Sequence, residues 1–195
     1  MKIGIFGGTF DPFHEGHLAI VVKSFEQCGL DKIIIVPTTV NYYRPDKHYL
    51  FNYDQKVEII REFITGIEKD VDIDTIEKDK DGTWRTINLM QYFKENYPDD
   101  ELYLIIGEDS FKEFTTWTRW QDILKIAKLI VANRSTHVEK TLELNKKAGT
   151  EKVIEAIPLD MGTEFEECSA TRVRDELIKE VMDMYLLDKG LYGRS

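Results

Sequence analysis

Two histidines, His14 and His17, follow a glycine-rich turn near the start of the chain. The glycines Gly7 and Gly8 come directly after a short apolar run, and Thr9 follows them. A glycine lets a phosphate approach the backbone N–H groups closely, because it has no Cβ. Side chains three residues apart share one face of a helix, so both imidazoles can point toward the turn. These residue types at this spacing are typical of a site that binds phosphate groups.

The spacing argues against three better-known motifs. Gly4, Gly7 and Gly8 do not fit the G-x-G-x-x-G pattern of dinucleotide-binding folds, and no Gly-Lys-Ser/Thr of a Walker loop follows them. His14 and His17 are three residues apart, whereas the zinc motif H-E-x-x-H separates its histidines by four. A nicotinamide-dependent oxidoreductase and a kinase-like phosphate loop are therefore disfavoured. A helix-capping His14 and a chance metal pair remain as alternatives.

The elements that would position this site follow from hydrophobic patterning. Short apolar runs alternate with longer amphipathic stretches, which favours a parallel sheet covered by helices. The predicted fold is α/β, a Rossmann-like doubly wound parallel sheet of five to six strands with helices on both faces. Strands are predicted over residues 2–6, 32–36, 71–74, 102–106 and 128–131, with a sixth near 153–157. Helices are predicted over residues 15–28, 53–64, 86–96, 120–127, 137–148 and 170–181, with Gly29 as the stop signal of the first.

Composition limits the class of protein. The chain has 195 residues, 42% of them hydrophobic, and a formal net charge of −10. It carries no repeat or linker-like tract, so a single domain over residues 1–195 is predicted. So acidic a chain lacks the basic face that nucleic acid or an anionic membrane requires, and neither is expected as a partner. Two cysteines, no signal-peptide pattern and no apolar segment of spanning length indicate an unprocessed cytoplasmic protein.

Two further segments carry candidate ligand-binding residues. Residues 38–52 lack periodicity and mix aromatic side chains with Arg44, so a long loop beside a site is predicted. Near the far end, Ser169 or Thr171 could cap the helix predicted there, and Arg174 follows in its first turns. A helix N-terminus with such residues can hold a triphosphate. The alternative is an ordinary capped surface helix with solvated arginines.

The N-terminal residues match a known signature. The G-G-T-F-D-P of residues 7–12, followed by the H-x-G-H of residues 14–17, resembles the signature of the HxGH nucleotidyltransferases. That superfamily includes cytidylyltransferases, phosphopantetheine adenylyltransferases and nicotinate or nicotinamide mononucleotide adenylyltransferases. The resemblance implies that His14 and His17 contact nucleotide phosphates and stabilise the charge that develops while pyrophosphate leaves. The implied ATP-binding residues are Gly7, Gly8, Thr9, Phe10, His14, His17, Ser169, Thr171 and Arg174.

The C-terminal segment resembles a second signature of the same superfamily. Residues 168–174 resemble I-S-S-T-x-I-R, whose final arginine grips the outer phosphates of ATP and corresponds to Arg174. Arg174 is therefore predicted to act in catalysis with the two histidines. Cys168 replaces the aliphatic residue of the signature and Ala170 its second serine, which removes one hydroxyl group.

The middle of the chain resembles the mononucleotide adenylyltransferases in particular. The matching stretches are residues 86–89, 104–111, 114–117, 120–124 and 190–192. The resemblance implies that Trp117 stacks on the pyridine ring, that Thr86 helps bind the nicotinate carboxylate and that Asp109 meets a ribose. A pyridinium on an indole face is a favourable cation–π contact. The implied mononucleotide-binding residues are Arg44, Thr86, Gly107, Asp109, Trp117 and Arg134.

Each of these residues also has a purely structural interpretation. Trp117 and Trp120 could anchor a helix in the core, and packing is the favoured role for Trp120. Thr86 and Asp109 could each cap a helix. The loop after the second strand departs from the family most, because Tyr42-Tyr43-Arg44 stands where bacterial relatives read P-P-H-K, and Lys56 replaces a later arginine. An ammonium is a point charge and does not reproduce the forked geometry of a guanidinium.

The resemblance therefore predicts transfer of the adenylyl group of ATP to nicotinate mononucleotide, forming deamido-NAD (nicotinate adenine dinucleotide) and pyrophosphate in NAD biosynthesis. Magnesium is expected to arrive on the ATP phosphates, without a protein-bound metal. The alternatives are transfer to nicotinamide mononucleotide, phosphopantetheine or another phosphorylated acceptor, and a non-catalytic nucleotide-binding module. The choice between nicotinate and nicotinamide, the divalent metal and the oligomeric state, including a homo-oligomer, stay open at this stage.

Overall fold

The computed structural model describes residues 1–39, 49–80, 84–133, 154–162, 171–173, 175–177 and 179. Its strands are β1 (Lys2–Gly8), β2 (Lys32–Pro37), β3 (Asp70–Ile73), β4 (Glu101–Gly107), β5 (Ala127–Asn133) and β6 (Ala156–Asp160). They form one parallel sheet in the order β3-β2-β1-β4-β5-β6. From β1 the chain adds β2 and β3 on one side of the sheet, and then returns to pair β4 with the other edge of β1. The strand order therefore reverses between β1 and β4. This confirms the predicted doubly wound fold.

Helices connect these strands. They are α1 (Glu15–Cys28), α2 (Tyr53–Ile64), α3 (Thr86–Asn96), α4 (Glu108–Lys112) and α5 (Trp120–Ile126), with a 3-10 turn at Phe114–Thr116. The bounds of α1, α2 and α3 are those predicted from the sequence. Gly29 ends α1 in the left-handed conformation, with φ of 62°, as its stop signal predicts.

The last predicted strand starts later in the structure, one predicted helix is described in part, and another lies outside the described residues. The sixth strand is β6 at Ala156–Asp160 and not at residues 153–157, because Ala156 pairs with Leu129 and Leu159 with Ala132. The helix predicted over residues 170–181 is helical at each of its described residues. The helix predicted over residues 137–148 lies outside the described part of the chain.

The core has two layers, one on each face of the sheet. One layer joins Ile3 and Ile5 of β1 to α3 and α5 through buried side chains such as Phe93. The other joins Ile33 and Ile35 of β2 to α1 and α2. Burial of each such side chain contributes about 1.5–3 kcal/mol. The layers fix the carboxyl ends of β1 and β4, where open α/β sheets bind ligands.

Among the described helices, none is long and apolar enough to cross a membrane.

Candidate active site

A cleft lies at the carboxyl ends of β1 and β4, at the point where the strand order reverses. Its volume is about 270 Å³, close to the lower end of the range for small-molecule sites. The two glycines, Gly7 and Gly8, lie in the last two positions of β1, which runs two residues further than the predicted 2–6, and pair with β2. Three segments supply most of the cleft wall: these glycines together with Thr9 (the glycine turn), the residues around the start of α3, and residues 110–118 around the 3-10 turn. From these come Gly7, Gly8, Thr9, Trp84, Arg85, Thr86, Ser110, Trp117 and Thr118.

His14 is the N-cap residue of α1. Its Nδ1 accepts a hydrogen bond from the N–H of Gly16 at 3.1 Å, and His17 Nδ1 accepts the N–H of His14 at 3.3 Å. This is a reciprocal capping box built from two imidazoles, where a serine and a glutamate are more usual. His14 therefore does cap the helix, as the structural alternative predicted.

The capping bonds fix the tautomer of both rings. A nitrogen that accepts an N–H cannot carry a proton itself, so the proton of each neutral imidazole lies on Nε2. The two rings stack with centroids 3.8 Å apart and an interplanar angle of 30°. Capping uses Nδ1 of each ring, so it does not compete for Nε2, and phosphate binding through Nε2 stays a prediction.

Aromatic packing holds His17 in place. The ring of Phe10 meets it edge-on with centroids 5.1 Å apart, and Phe13 lies 5.2 Å away on another side. Phe10 is buried and has a φ of 45°, a left-handed conformation that is uncommon outside glycine. Its side chain is therefore a packing element, and its predicted contact with ATP concerns the backbone.

The two glycines of the turn differ in what surrounds them. A Cβ on Gly8 would lie 2.7 Å from the ring of Phe10, so packing alone requires a glycine there. A Cβ on Gly7 would have Leu89 as its nearest neighbour at 3.9 Å, which is ordinary contact. Packing does not require a glycine at position 7, which lines the cleft. A ligand that approached the backbone there would require one.

Asp11 ties the glycine turn to the segment before α2. It is buried, and its two carboxylate oxygens accept the backbone N–H groups of Leu50 at 3.2 Å and Phe51 at 3.0 Å. A carboxylate that accepts two backbone N–H groups holds them firmly. Asp11 is thus a structural residue of the site.

Thr86 and Trp117 are the two predicted mononucleotide-binding residues that line the cleft. Thr86 is the first residue of α3 and Arg85 its N-cap, so Thr86 is not the cap. Trp117 packs on Phe114 with ring centroids 5.3 Å apart. Trp120 also contacts Phe114, at 6.1 Å, but is not part of the cleft wall.

Gly107 and Asp109 lie beside the cleft without lining it. Gly107 is the N-cap of α4, so Asp109 is not a cap. The side chain of Asp109 is 91% exposed and pairs with Lys112 at 3.3 Å. The structure does not bring this carboxylate into the cleft wall, and its contact with a ribose stays a prediction.

Four predicted site residues lie outside the described part of the chain: Arg44, Arg134, Ser169 and Arg174. Thr171 is described, and it is helical and exposed.

Several cleft residues were not named as site residues in the sequence analysis, among them Glu77, Trp84 and Arg85. Thr38, which also lines the cleft, begins the loop predicted beside a site at residues 38–52. Burial raises the pKa of the Glu77 carboxyl above its ordinary value, while a hydrogen bond with Thr38 acts in the opposite direction. Glu77 lies in the turn after β3, and the parallel pairing of β2 with β3 brings it to Thr38, so no local pattern could have indicated Glu77.

Within the described residues, no group of three or more His, Cys, Asp or Glu side chains is placed to hold a metal ion.

Comparison with known proteins now decides the family. The family model described as cytidylyltransferase-like matches residues 5–176, which includes the glycine turn, both histidines and the cleft. The chain belongs to the cytidylyltransferase-like family.

The similar proteins within the cytidylyltransferase-like family are named for one particular activity. Proteins named "probable nicotinate-nucleotide adenylyltransferase" from Maridesulfovibrio salexigens and Pelobacter propionicus are 33% and 37% identical to the chain, over 69% of its length in each case. The matches span 62% and 61% of those relatives, which is under two thirds of their length. A protein of the same name from Aliarcobacter butzleri is 32% identical over 73% of the chain and 77% of its own length.

Solved structures agree on the fold of this cytidylyltransferase-like chain. Two structures of Plasmodium falciparum nicotinic acid mononucleotide adenylyltransferase, complexed with APC and with NaAD, cover 100% of the chain and 98% of their own. Their TM-scores are 0.68 and 0.69, at 16% and 17% sequence identity. At this identity the likeness shows a shared fold.

Proposed function

We propose that this member of the cytidylyltransferase-like family transfers the adenylyl group of ATP to nicotinate mononucleotide, giving nicotinate adenine dinucleotide and pyrophosphate in NAD biosynthesis. The observation that carries the proposal is that one cleft is lined by both Gly7 and Trp117. The reaction joins one phosphate to another, so the pocket for the pyridine must open onto the phosphate-binding turn. A single cleft lined by both an indole and the glycine turn meets this requirement.

The chemistry asks the protein for positioning and charge neutralisation. A phosphate oxygen of the mononucleotide attacks the α-phosphorus of ATP and forms a new P–O bond. The bond from the α-phosphorus to the oxygen that bridges to the β-phosphate breaks, and its electron pair leaves on pyrophosphate. The acceptor phosphate has a second pKa of about 6, so it is largely ionised at neutral pH. No protein group has to remove a proton, and the main task is to align two polyanions.

His14 and His17 act on the phosphates in this proposal. Their Nδ1 atoms are engaged by backbone N–H groups, and their Nε2–H groups donate to phosphate oxygens. Donors that are fixed before the substrate arrives need no reorganisation as charge moves onto the leaving pyrophosphate. Such preorganisation is supported here by the stacking of the two rings and by the contact of Phe10 with His17.

The acceptor binds in the same cleft, at Trp117 and Thr86. Trp117 offers an indole face to the pyridinium ring, and Thr86 lies at the positive N-terminus of α3, where a carboxylate is stabilised. The names of the relatives support nicotinate mononucleotide as the acceptor.

The remaining parts of the proposal rest on the sequence resemblance. ATP enters with its magnesium ion, Arg174 grips the outer phosphates with Ser169 and Thr171, and Arg44 and Arg134 contact the mononucleotide. The protein acts in the cytoplasm on small molecules, as a single domain.

A panel of acceptors tests the proposal. Pyrophosphate release is measured with magnesium and ATP plus nicotinate mononucleotide, nicotinamide mononucleotide or phosphopantetheine, and with CTP in place of ATP. We expect release with nicotinate mononucleotide and ATP, together with a product of the mass of nicotinate adenine dinucleotide. Release only with another pair would assign another transferase of the family. Release with none, while ATP still binds, would support a nucleotide-binding module.

A further inference from the structure

One side chain of the cleft wall is a carboxylic acid. Among the described residues that line the cleft, Glu77 is the only acid, and the others present backbone, hydroxyl, aromatic, aliphatic or guanidinium groups. A carboxylate repels phosphate groups, so its presence in a cleft for two polyanions needs a reason. A group of the ligand that donates hydrogen bonds would supply one.

Hydrogen bonds with the residues after β2 hold Glu77 beside the glycine turn. The hydroxyl of Thr39 donates to the backbone oxygen of Glu77, and the hydroxyl of Thr38 donates to its carboxyl. The backbone N–H of Thr38 in turn donates to the backbone oxygen of Gly8 at 2.9 Å. Thr38 therefore links the carboxyl of Glu77 directly to the glycine turn.

The covalent order of a mononucleotide indicates which part of the acceptor lies near Glu77. Its ribose joins the pyridine ring to the phosphate, so a ring on Trp117 and a phosphate at Gly7 leave the ribose between them in the same cleft. The ribose carries two neighbouring hydroxyl groups that can donate. A carboxylate only accepts hydrogen bonds and has about four lone-pair sites, so the bond from Thr38 leaves capacity for both hydroxyls. Acidic residues bind the ribose of dinucleotide cofactors in this way.

Asp109, which the family resemblance implies for a ribose contact, is placed differently. Its side chain is 91% exposed, pairs with Lys112 at 3.3 Å and does not line the cleft. Glu77 is half-buried and lines the cleft. A hydrogen bond to a half-buried carboxylate is the stronger one, because less water competes for the acceptor.

We propose that Glu77 is a further binding residue for the acceptor, whose carboxylate accepts hydrogen bonds from the 2′- and 3′-hydroxyl groups of the mononucleotide ribose. The inference rests on the proposed function, because that function places the pyridine ring and the phosphate in this cleft. It makes an intact ribose diol a requirement for the acceptor, in addition to the pyridine ring.

Glu77→Gln and the 2′-deoxy and 3′-deoxy forms of nicotinate mononucleotide test the contact from both sides. The variant removes the charge, while its amide oxygen can still accept from Thr38. With the unsubstituted protein, loss of one ribose hydroxyl should lower kcat/KM about tenfold to hundredfold, as for a hydrogen bond to a charged group. In Glu77→Gln this loss should be at least about threefold smaller, because the two changes remove the same interaction. A loss as large as in the unsubstituted protein overturns the proposal.

Glu101→Gln is the matched control. Glu101 begins β4, at the opposite end of that strand from the cleft, and pairs with Lys128. The loss caused by each deoxy acceptor should be the same in this variant as in the unsubstituted protein. Asp109→Asn decides between the two acids. If the loss shrinks in Asp109→Asn and not in Glu77→Gln, the ribose is held by Asp109 and the proposal is wrong.

Binding measured without turnover separates this inference from the proposed function. A pyridinium ring stacked on Trp117 should quench tryptophan fluorescence, which gives dissociation constants for the complete and deoxy acceptors without ATP. We expect the unsubstituted protein to bind the deoxy acceptors about tenfold to hundredfold more weakly, and this ratio to shrink in Glu77→Gln. Binding without pyrophosphate release would refute the proposed function, while the ratios would still decide the contact of Glu77. Failure of the complete acceptor to bind would refute both.

Discussion

The imidazole of His14 lies 3.8 Å from that of His17, measured between stacked ring centroids, and each ring accepts a backbone N–H through Nδ1. Helix capping and phosphate binding are usually competing explanations for a histidine at the start of a helix. In this arrangement they are compatible, because they use different nitrogens. The cap holds the ring, and the held ring presents Nε2–H.

Substitution of His14 separates the two roles. In His14→Asn the amide oxygen can accept the N–H of Gly16 and preserve the cap, since asparagine is among the best N-cap residues. It has no atom at the position of Nε2. We expect turnover to fall about 10²–10³-fold, as for the loss of one preorganised donor. Stability to urea should stay within about 0.5 kcal/mol of the unsubstituted protein.

His14→Ala completes this comparison. Alanine removes the cap as well as the Nε2–H donor, so we expect a similar loss of turnover and an added loss of about 1 kcal/mol of stability. If His14→Asn kept full turnover, His14 would be a capping residue only.

The glycine turn allows a paired test of packing against ligand approach. Gly7→Ala should leave the free energy of unfolding unchanged or raise it by up to about 1 kcal/mol, because the added methyl group meets nothing closer than 3.9 Å. Gly8→Ala should lower it by about 1–3 kcal/mol, because the methyl group meets the buried ring of Phe10 at 2.7 Å. Urea unfolding at neutral pH measures both.

Enzyme kinetics of the Gly7 variant test whether a ligand approaches this backbone. Gly7→Ala narrows the cleft next to the phosphate-binding turn, so we expect KM for ATP to rise and kcat to fall in a fully folded protein. Normal kinetics in Gly7→Ala would mean that no phosphate approaches this backbone closely.

α1 shows how much a local pattern can predict. Its start after His14 and its end at Gly29 both follow from nearest neighbours in sequence, and both are found where expected. The two imidazoles share a face because of the helical repeat alone. The choice of Nδ1 as acceptor depends on backbone geometry at the cap, which sequence spacing does not reveal.

Asp109 and Glu77 show where local reasoning stops. An acid directly after β4 is a reasonable ligand candidate, but α4 directs the side chain of Asp109 outward, where it pairs with Lys112. Glu77 follows a short strand without any recognisable motif, yet it lines the cleft. Its position depends on the pairing of β2 with β3, in which Lys32 lies opposite Asp70, 38 residues later in the chain and beyond the whole of α2.

Asp11 offers a test of how the turn is anchored. Asp11→Ala removes the acceptor of the N–H groups of Leu50 and Phe51, and the loss of each of these part-buried hydrogen bonds costs about 0.5–1.5 kcal/mol. We expect a lower urea midpoint and faster hydrogen exchange at these two amides. Asp54→Asn is the control, because the Asp54 carboxylate is 74% exposed and pairs with Lys78 at the surface. It should change stability by less than about 0.5 kcal/mol. Equal effects would show that Asp11 does not anchor the turn.

Glu77 should make the stability of the protein depend on pH in a direction that can be stated in advance. Burial raises the pKa of its carboxyl in the folded protein, whereas in the unfolded chain it titrates near its ordinary value of 4.5. As pH rises from 4.5 through the raised pKa, the unfolded chain loses this proton before the folded protein does. The folded state binds more protons in that window, so Glu77 lowers stability progressively as pH rises.

The variant Glu77→Gln removes this titration while its amide oxygen can still accept from Thr38. The free energy of unfolding of Glu77→Gln minus that of the unsubstituted protein should therefore grow as pH rises above 4.5, and then level off. Glu101 is the matched control of opposite sign, because the hydrogen bond from Lys128, followed by that from Tyr103, lowers the pKa of its carboxyl. Its stabilising effect is present above pH 4.5 and is lost as pH falls, so Glu101→Gln should be the less stable protein at neutral pH. Urea unfolding between pH 3 and 8 measures both differences, and two curves of the same slope would contradict the raised pKa of Glu77.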